Sequence, residues 1–245
     1  MNHVDFGYSS DVPVLRDVSL SIAKPGLYGF VGQNGCGKST LVKLLLRFYD
    51  YDAGSIRYND IDMMDLSMAE IRRNYTYIAK EPFILKDTLL NNILLADARQ
   101  LPEEVKRACE RAGLAAYVGS LPEGYDTVLN EGGSSLSSGQ KQKINMARMM
   151  IKKTPVYILD EVTSDLDGVA EKEIMGIIRE VAQSAIVLFI THRAAPLMEC
   201  DRIYVMSEGH IVADGTHAEL LERNELYREM FARKQSKEDD DEPQT

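Results

Sequence analysis

One run of nine residues, Gly32-Gln33-Asn34-Gly35-Cys36-Gly37-Lys38-Ser39-Thr40, restricts this chain more than any other feature. Glycine, four variable residues, glycine, lysine and serine make the pattern of a loop that turns backbone N–H groups inward around phosphate oxygens. The glycines allow that turn because no Cβ blocks it. Lys38 would place a point charge at the β- and γ-phosphates, the Ser39 hydroxyl would ligate Mg²⁺, and the following helix would add the positive end of its dipole. At ordinary residue frequencies the pattern arises by chance in about one chain of this length in a hundred. The setting strengthens it. Leu27–Val31 reads as a buried strand before the loop and Lys38–Arg47 as a helix after it, so a plain glycine-rich turn is the weaker reading.

Such a loop belongs in an α/β fold with a largely parallel sheet, and the rest of the chain agrees. Tyr75–Ala79, Val156–Leu159 and Ala185–Ile190 read as further buried strands, and Arg202–Met206 with His210–Ala213 as a late hairpin about Ser207-Glu208-Gly209. From Asp87 to about Ile151 the strand signal gives way to helical spacing. Pro102–Ala112 carries early acids at Glu103 and Glu104, as a helix N-terminus favours. The expected organisation is a P-loop core over residues 1–86 and 152–234, a helical subdomain over 87–151, and an acidic solvated tail over 235–245.

Val156-Tyr157-Ile158-Leu159-Asp160-Glu161 ends a buried strand in two carboxylates. Alone, such a pair most often caps a helix. Beside a phosphate loop, Asp160 suits the surroundings of Mg²⁺, and Glu161 suits polarising a water for in-line attack on a γ-phosphate.

Together these motifs resemble the ATP-binding-cassette (ABC) family. Leu136-Ser137-Ser138-Gly139-Gln140 resembles its signature, usually Leu-Ser-Gly-Gly-Gln, and Lys141-Gln142-Lys143 with Ala147-Arg148 continues the signature helix. Ser164-Asp165-Leu166-Asp167 resembles the D-loop and Thr191-His192-Arg193 the switch histidine. Tyr8, in Asp5-Phe6-Gly7-Tyr8, is similar to the aromatic residue that stacks on adenine. Leu121-Pro122-Glu123-Gly124-Tyr125-Asp126-Thr127 and Gly215-Thr216-His217-Ala218-Glu219-Leu220-Leu221 resemble exporter nucleotide-binding domains. The resemblance implies a P-loop NTPase core with an antiparallel N-terminal β portion and an inserted helical subdomain. It also implies ATP with Mg²⁺, and two domains paired head to tail. Ser137, Gly139 and Gln140 would then meet ATP held on the partner's Gly32, Asn34, Gly35, Cys36, Gly37, Lys38, Ser39 and Thr40, while His192 would touch the γ-phosphate in its own domain. Relatives of this kind are usually fused to six membrane helices, so the chain is expected to be an excised domain or a separate subunit at the cytoplasmic face of a membrane.

Two positions depart from the family pattern. Lys80 stands where a glutamine is usual, and Ser138 replaces the first signature glycine. A charged ammonium cannot ligate Mg²⁺. Lys80 would contact the γ-phosphate directly or swing into solvent, and the placement of the two departures favours pairing with a different cassette.

Charge and cysteine content narrow the remaining classes. Twenty-eight basic and 38 acidic side chains give a net charge of −10, of which Lys237–Thr245 supplies −4, leaving −6 on the rest. That balance opposes a nucleic-acid-coating role, and with it a soluble ABC ATPase acting on nucleic acid or ribosomes. A non-hydrolysing regulatory cassette is the other alternative, opposed by Glu161 and His192 and favoured only by Lys80. Cys36, Cys109 and Cys200 fit neither a zinc site nor a disulfide framework. Phe48 and Tyr49 are expected to pack, Met149 and Met150 to fill the core, and His3, His210 and His217 to be structural or exposed.

Overall fold

A computed structural model describes residues 1–9 and 12–232, so the expected acidic tail lies outside the described residues. The chain opens with strands β1 (Asn2–Ser9), β2 (Val12–Val18) and β3 (Gly26–Gly32), followed by helix α1 (Lys38–Leu45). Short strands β4 (Ala53–Ser55), β5 (Arg57–Tyr58) and β6 (Ile61–Asp62) precede α2 (Met68–Asn74) and β7 (Tyr75–Ile78). Four helices come next, α3 (Leu89–Leu94), α4 (Pro102–Arg111), α5 (Ala115–Ser120) and α6 (Ser138–Lys152). The chain then alternates β8 (Val156–Asp160), α7 (Gly168–Ala182), β9 (Ile186–Ile190) and α8 (Ala194–Met198). β10 (Arg202–Ser207), β11 (His210–Gly215) and α9 (His217–Arg223) follow, and residues 225–232 are helical as well.

Six strands form one sheet in the order β11-β10-β3-β9-β8-β7, parallel except for the β10–β11 hairpin. β2, β1 and β4 make a separate antiparallel sheet. The α/β class and the mixed sheet thus match the reading of the sequence. The strands are apolar on both faces, as a sheet covered on two sides requires. Their side chains alternate between two cores. Leu27, Val31, Leu159 and Phe189 face a cluster that includes Ile144, Met146 and Met149 of α6 and Ile174 of α7. Phe30, Ile158 and Ile190 face the other cluster, with Phe6 of β1, Leu15 of β2 and Leu41 and Leu44 of α1. Met149 and Met150 are buried, as expected.

The boundaries shift where local geometry overrides pattern. The helix expected to reach Arg47 stops at Leu45, because Arg47 adopts a left-handed φ of 54°. Phe48 is 62% exposed rather than packed, whereas Tyr49 lies against Phe6 and Tyr8. The strand expected from Tyr75 to Ala79 ends at Ile78, and the late hairpin runs on to Gly215.

Candidate functional site

The sheet order decides where the chemistry gathers. Phe30 of β3 is paired with Ile190 of β9, Ile190 with Asp160 of β8, and Leu159 with Ile78 of β7. These four strands are parallel, so the segments leaving them share one edge. That edge receives the glycine-rich loop after β3, His192 after β9, Asp160 and Glu161 at the end of β8, and Lys80 after β7. The carboxyl edge of an open α/β sheet is where such folds place ligands.

The loop before α1 is tightly determined. A Cβ at Gly32 would lie 2.4 Å from the Met206 carbonyl oxygen and 2.5 Å from Cys36 Sγ. Gly37 caps α1 at a φ of 107°, and a Cβ there would meet Leu15 at 2.6 Å. Gly35, at φ +80°, faces open space. Lys38 Nζ donates to the Gly32 and Gln33 carbonyls at 2.9 and 3.1 Å, so its charge closes the loop from within. Cys36 is buried, 3.6 Å from the same ammonium. No acid lies in the first turn of α1, so its unsatisfied N–H groups face the loop without a competing anion.

Glu161 sits in an unusual backbone state. Its φ is +53°, a left-handed conformation that a non-glycine residue adopts at a cost of about 1–2 kcal/mol. Its N–H donates to the Ile190 carbonyl at 2.9 Å, and its own carbonyl accepts from the Ser164 N–H and hydroxyl. The turn aims its carboxylate at the end of β9, where Oε1 lies 3.1 Å from His192 Nδ1. Arg193, for which the sequence assigned no role, braces the same loop. It donates to the Thr163 and Leu166 carbonyls at 3.0 Å and pairs with buried Glu171 at 2.9 Å. Its partners are 22 to 30 positions away, so no local pattern points to it.

Asp160 Oδ2 accepts from the Tyr77 hydroxyl at 3.1 Å. Burial raises the Asp160 pKa above its ordinary value, and the Glu161 charge adds to this. The Tyr77 hydrogen bond and the Lys38 charge act in the opposite direction. Burial together with Asp160 pushes Tyr77 up to about 12. The donor set fits a nucleoside triphosphate with Mg²⁺. A glycine cradle open at Gly35 and a half-buried lysine suit the phosphates, and a carboxylate with the Ser39 hydroxyl offers hard oxygens. Among the described residues no cluster of three or more His, Cys, Asp or Glu could hold a metal, so phosphate oxygens and water would complete its shell.

Tyr8 is half-exposed and hydrogen-bonds the Thr40 hydroxyl at 3.1 Å, with Lys43 Nζ 3.2 Å from its oxygen. It thus stands at the far end of the phosphate loop, edge-on to Phe6 and Tyr49. Ser137 begins α6 as a reciprocal capping box: its side chain accepts from the Gln140 N–H at 3.1 Å, and Gln140 Oε1 accepts from the Ser137 N–H at 2.9 Å. The N–H groups of Ser138 and Gly139 lie in the first turn, where helix geometry provides no acceptor.

Lys80, expected either to contact the γ-phosphate or to swing into solvent, is partly exposed and pairs with the D-loop segment. Its ammonium lies 3.2 Å from Asp165 Oδ1, and its carbonyl accepts from Gln142 Nε2 at 2.6 Å. Beside it runs a groove of about 290 Å³, lined by residues that include Tyr77, Ala79, Glu81, Phe83, Leu95 and Arg148. Phe83 and Leu95 expose apolar surface there, and Arg148 is buried below them, held by carbonyl oxygens of Asn92 and Asn145. Burial brings the Arg148 pKa down to about 10.

The ABC transporter family model matches residues 15–164. The chain is 39% identical over 232 residues to the lactococcin-G-processing and transport ATP-binding protein LagD of Lactococcus lactis, covering 94% of this chain and 33% of that protein. It is 38% identical over 230 residues to the ATP-dependent lipid A-core flippase of Syntrophus aciditrophicus, covering 94% and 38%. A solved bacterial Atm1-family ABC exporter with ATP bound superposes with a TM-score of 0.89 at 34% identity, over 95% of this chain and 41% of that one. The chain therefore spans about a third to two-fifths of these relatives' length. A glycine cradle, paired strand-end acids, a histidine just past the neighbouring strand and a capped signature helix, in a chain that matches on family, sequence and structure, show that it belongs to the ABC transporter family as an exporter-type nucleotide-binding domain.

Proposed function

We propose that this domain binds Mg-ATP and hydrolyses it to ADP and phosphate, powering transport of a substrate across a membrane. The observation that supports this most strongly is the 3.1 Å contact between Glu161 and His192 on the sheet edge that also carries the phosphate loop. In this reading Gly32, Asn34, Gly35, Cys36, Gly37, Lys38, Ser39 and Thr40 hold the triphosphate, and Tyr8 stacks on adenine. Ser39 and Asp160 hold Mg²⁺, which when bound neutralises charge on the β- and γ-oxygens. Glu161 accepts a proton from the attacking water as its oxygen bonds to the γ-phosphorus and the bond to the β-phosphate oxygen breaks. His192 orients both Glu161 and the γ-phosphate. Phosphate release by the wild-type domain and by Glu161→Gln tests this. The variant should retain ATP binding and lose turnover, and wild-type turnover in it would make Glu161 a spectator.

Residues 1–86 and 152–234 are read as the ATP-binding core and 87–151 as the helical subdomain that presents Ser137, Gly139 and Gln140 to a second domain's ATP. The apolar-rimmed groove at Phe83 and Leu95 supports docking of transmembrane domains, which would hold this domain at the cytoplasmic face of a membrane. Among the described residues no helix is long and apolar enough to cross one. The exporter names of the relatives disfavour a nucleic-acid or ribosome role. An asymmetric pair with a different cassette is favoured because the Lys80 ammonium, engaged by Asp165, leaves the site on this chain's own phosphate loop without the usual amide. Ser138 adds a side chain at the site on the partner's loop. Brisk ATPase activity of the domain alone, rising as the square of its concentration, would refute the asymmetric pair.

A further inference from the structure

Tyr8 stands near the end of β1 and is half-exposed. An aromatic side chain so placed is ordinarily free to change rotamer. Here several contacts hold it. Phe6 and Tyr49 meet its ring edge-on, with centroids 5.1 and 5.2 Å away and planes at 83° and 84°. Its hydroxyl lies 3.1 Å from that of buried Thr40, and Lys43 Nζ donates to it at 3.2 Å. The same ammonium is 6.0 Å from the Tyr49 ring centroid. The Lys43 carbonyl accepts from the Phe48 N–H at 2.8 Å, so the turn that brings Tyr49 against Tyr8 is tied to Lys43 as well.

Thr40 and Lys43 are three residues apart on α1 and therefore share a face. An ammonium has only donors, so the Tyr8 oxygen accepts from Lys43 and its own proton is left for the Thr40 oxygen. Burial alone would raise the Tyr8 pKa. The hydrogen bonds with Thr40 and Lys43, together with the Lys43 charge, outweigh it and bring the phenol below its ordinary value. One hydroxyl thus joins the aromatic platform to the helix that the phosphate loop opens. Lys43 itself stands about 7.5 Å along α1 from Lys38, and its ammonium is directed to a phenol.

We propose that Lys43 is a positioning residue for the base: it holds the Tyr8 hydroxyl at Thr40 and so sets the ring at one distance from the phosphate loop before ATP arrives. Lys43 does not act by neutralising phosphate. Ordering a side chain at the moment of binding costs about two- to tenfold in affinity, and a ring ordered beforehand escapes that loss. The proposal rests on the reading of the phosphate loop as the ATP site and of Tyr8 as its stacking residue, and the test separates the three.

The domain is titrated calorimetrically with Mg-ATP and, separately, with Mg-tripolyphosphate, which carries phosphates and no base. Lys43→Met should weaken ATP binding about two- to tenfold and leave tripolyphosphate binding unaltered. Lys43→Arg, which still donates, should bind ATP as the parent does. Tyr8→Phe keeps the ring and loses the hydroxyl, so it should show the loss seen in Lys43→Met, and combining the two should add nothing. In a Tyr8→Ala background, Lys43→Met should have no effect. Unchanged ATP affinity in Lys43→Met, an equal loss for ATP and tripolyphosphate, or a loss that persists in Tyr8→Ala would each overturn the proposal alone. Undiminished ATP affinity in Tyr8→Ala would overturn the stacking reading and the proposal with it. Failure of the parent to bind either ligand would overturn the reading of the phosphate loop, and both others with it.

Discussion

Ser137 caps α6, and on the proposed reading the same hydroxyl would also donate to the phosphate held by a second domain; substitution can separate the two roles. Its oxygen accepts from the Gln140 N–H and so caps α6, while its O–H remains available to donate. Ser137→Ala loses the cap, a loss of about 1 kcal/mol. In a domain of this size that lowers Tm by about 2–4 °C. It also loses the donated hydrogen bond to a charged acceptor, worth about 1.5–3 kcal/mol, or roughly 10- to 150-fold in ATP-driven pairing. Ser137→Asp restores the acceptor. α6 has no acidic residue in its first turn, so a carboxylate there also meets the helix dipole favourably by about 0.3–1 kcal/mol. Tm should therefore stay level or rise slightly. The donor, however, is replaced by a negative charge. Two unit charges about 4 Å apart at an effective dielectric near 20 repel by about 4 kcal/mol, roughly a thousandfold in affinity. Thermal denaturation without nucleotide and sedimentation with ATP, both in a Glu161→Gln background, measure the two effects separately. A Ser137→Asp protein that keeps its Tm and still pairs with ATP as tightly as its parent would refute the assignment of Ser137 to the partner's phosphate.

Lys38→Ala should abolish most ATP affinity, because it removes the phosphate charge partner and also releases the Gly32 and Gln33 carbonyls it now holds; titration with a fluorescent ATP analogue checks this. Tyr8→Ala should weaken the same binding by about 1–3 kcal/mol if its ring stacks as aromatic residues do on bases. Asp160→Asn should raise Tm at neutral pH while removing the Mg²⁺ dependence of ATP binding. The folded pKa of Asp160 lies above its unfolded value, so ionisation favours unfolding as pH rises through that interval. The advantage of the neutral amide should thus vanish in acid below the unfolded pKa, where both side chains are uncharged.

The parts of the site that lie within one segment were legible in the sequence. The phosphate loop and the strand-end acids announce themselves through spacing, the signature through its resemblance to the ABC pattern, and the apolar runs of β3, β8 and β9 identify a sheet covered on both faces. What links segments was not legible. Nothing near Arg193 says that it braces a loop 27 to 30 residues earlier, and nothing near Lys80 says that its charge is met 85 residues later. Those contacts depend on β7, β8 and β9 being neighbours, and strand order is not encoded in local periodicity. The reading of Phe48 erred for a related reason. An aromatic residue after an amphipathic helix implies packing only if the helix continues, and the left-handed turn at Arg47 sends Phe48 outward.

The position of β3 has a consequence for how a ribosome must deliver this protein. β3 emerges early yet lies between β10 and β9, strands near the end of the chain, and the Leu27 N–H is bonded by Asp201, 174 residues later. At roughly 5–20 residues per second, a nascent chain waits about 9–35 s between making the strand that feeds the nucleotide loop and making its neighbour. The helices α3–α6, built from closer contacts, can form in that interval. On the proposed reading the loop would grip ATP only once β9 and β10 have been made, and the apolar strand before it stays exposed until then. Nucleotide capture should thus wait until β9 and β10 have been made, and a holdase that shields Leu27–Val31 should raise the yield of folded protein more than added ATP does.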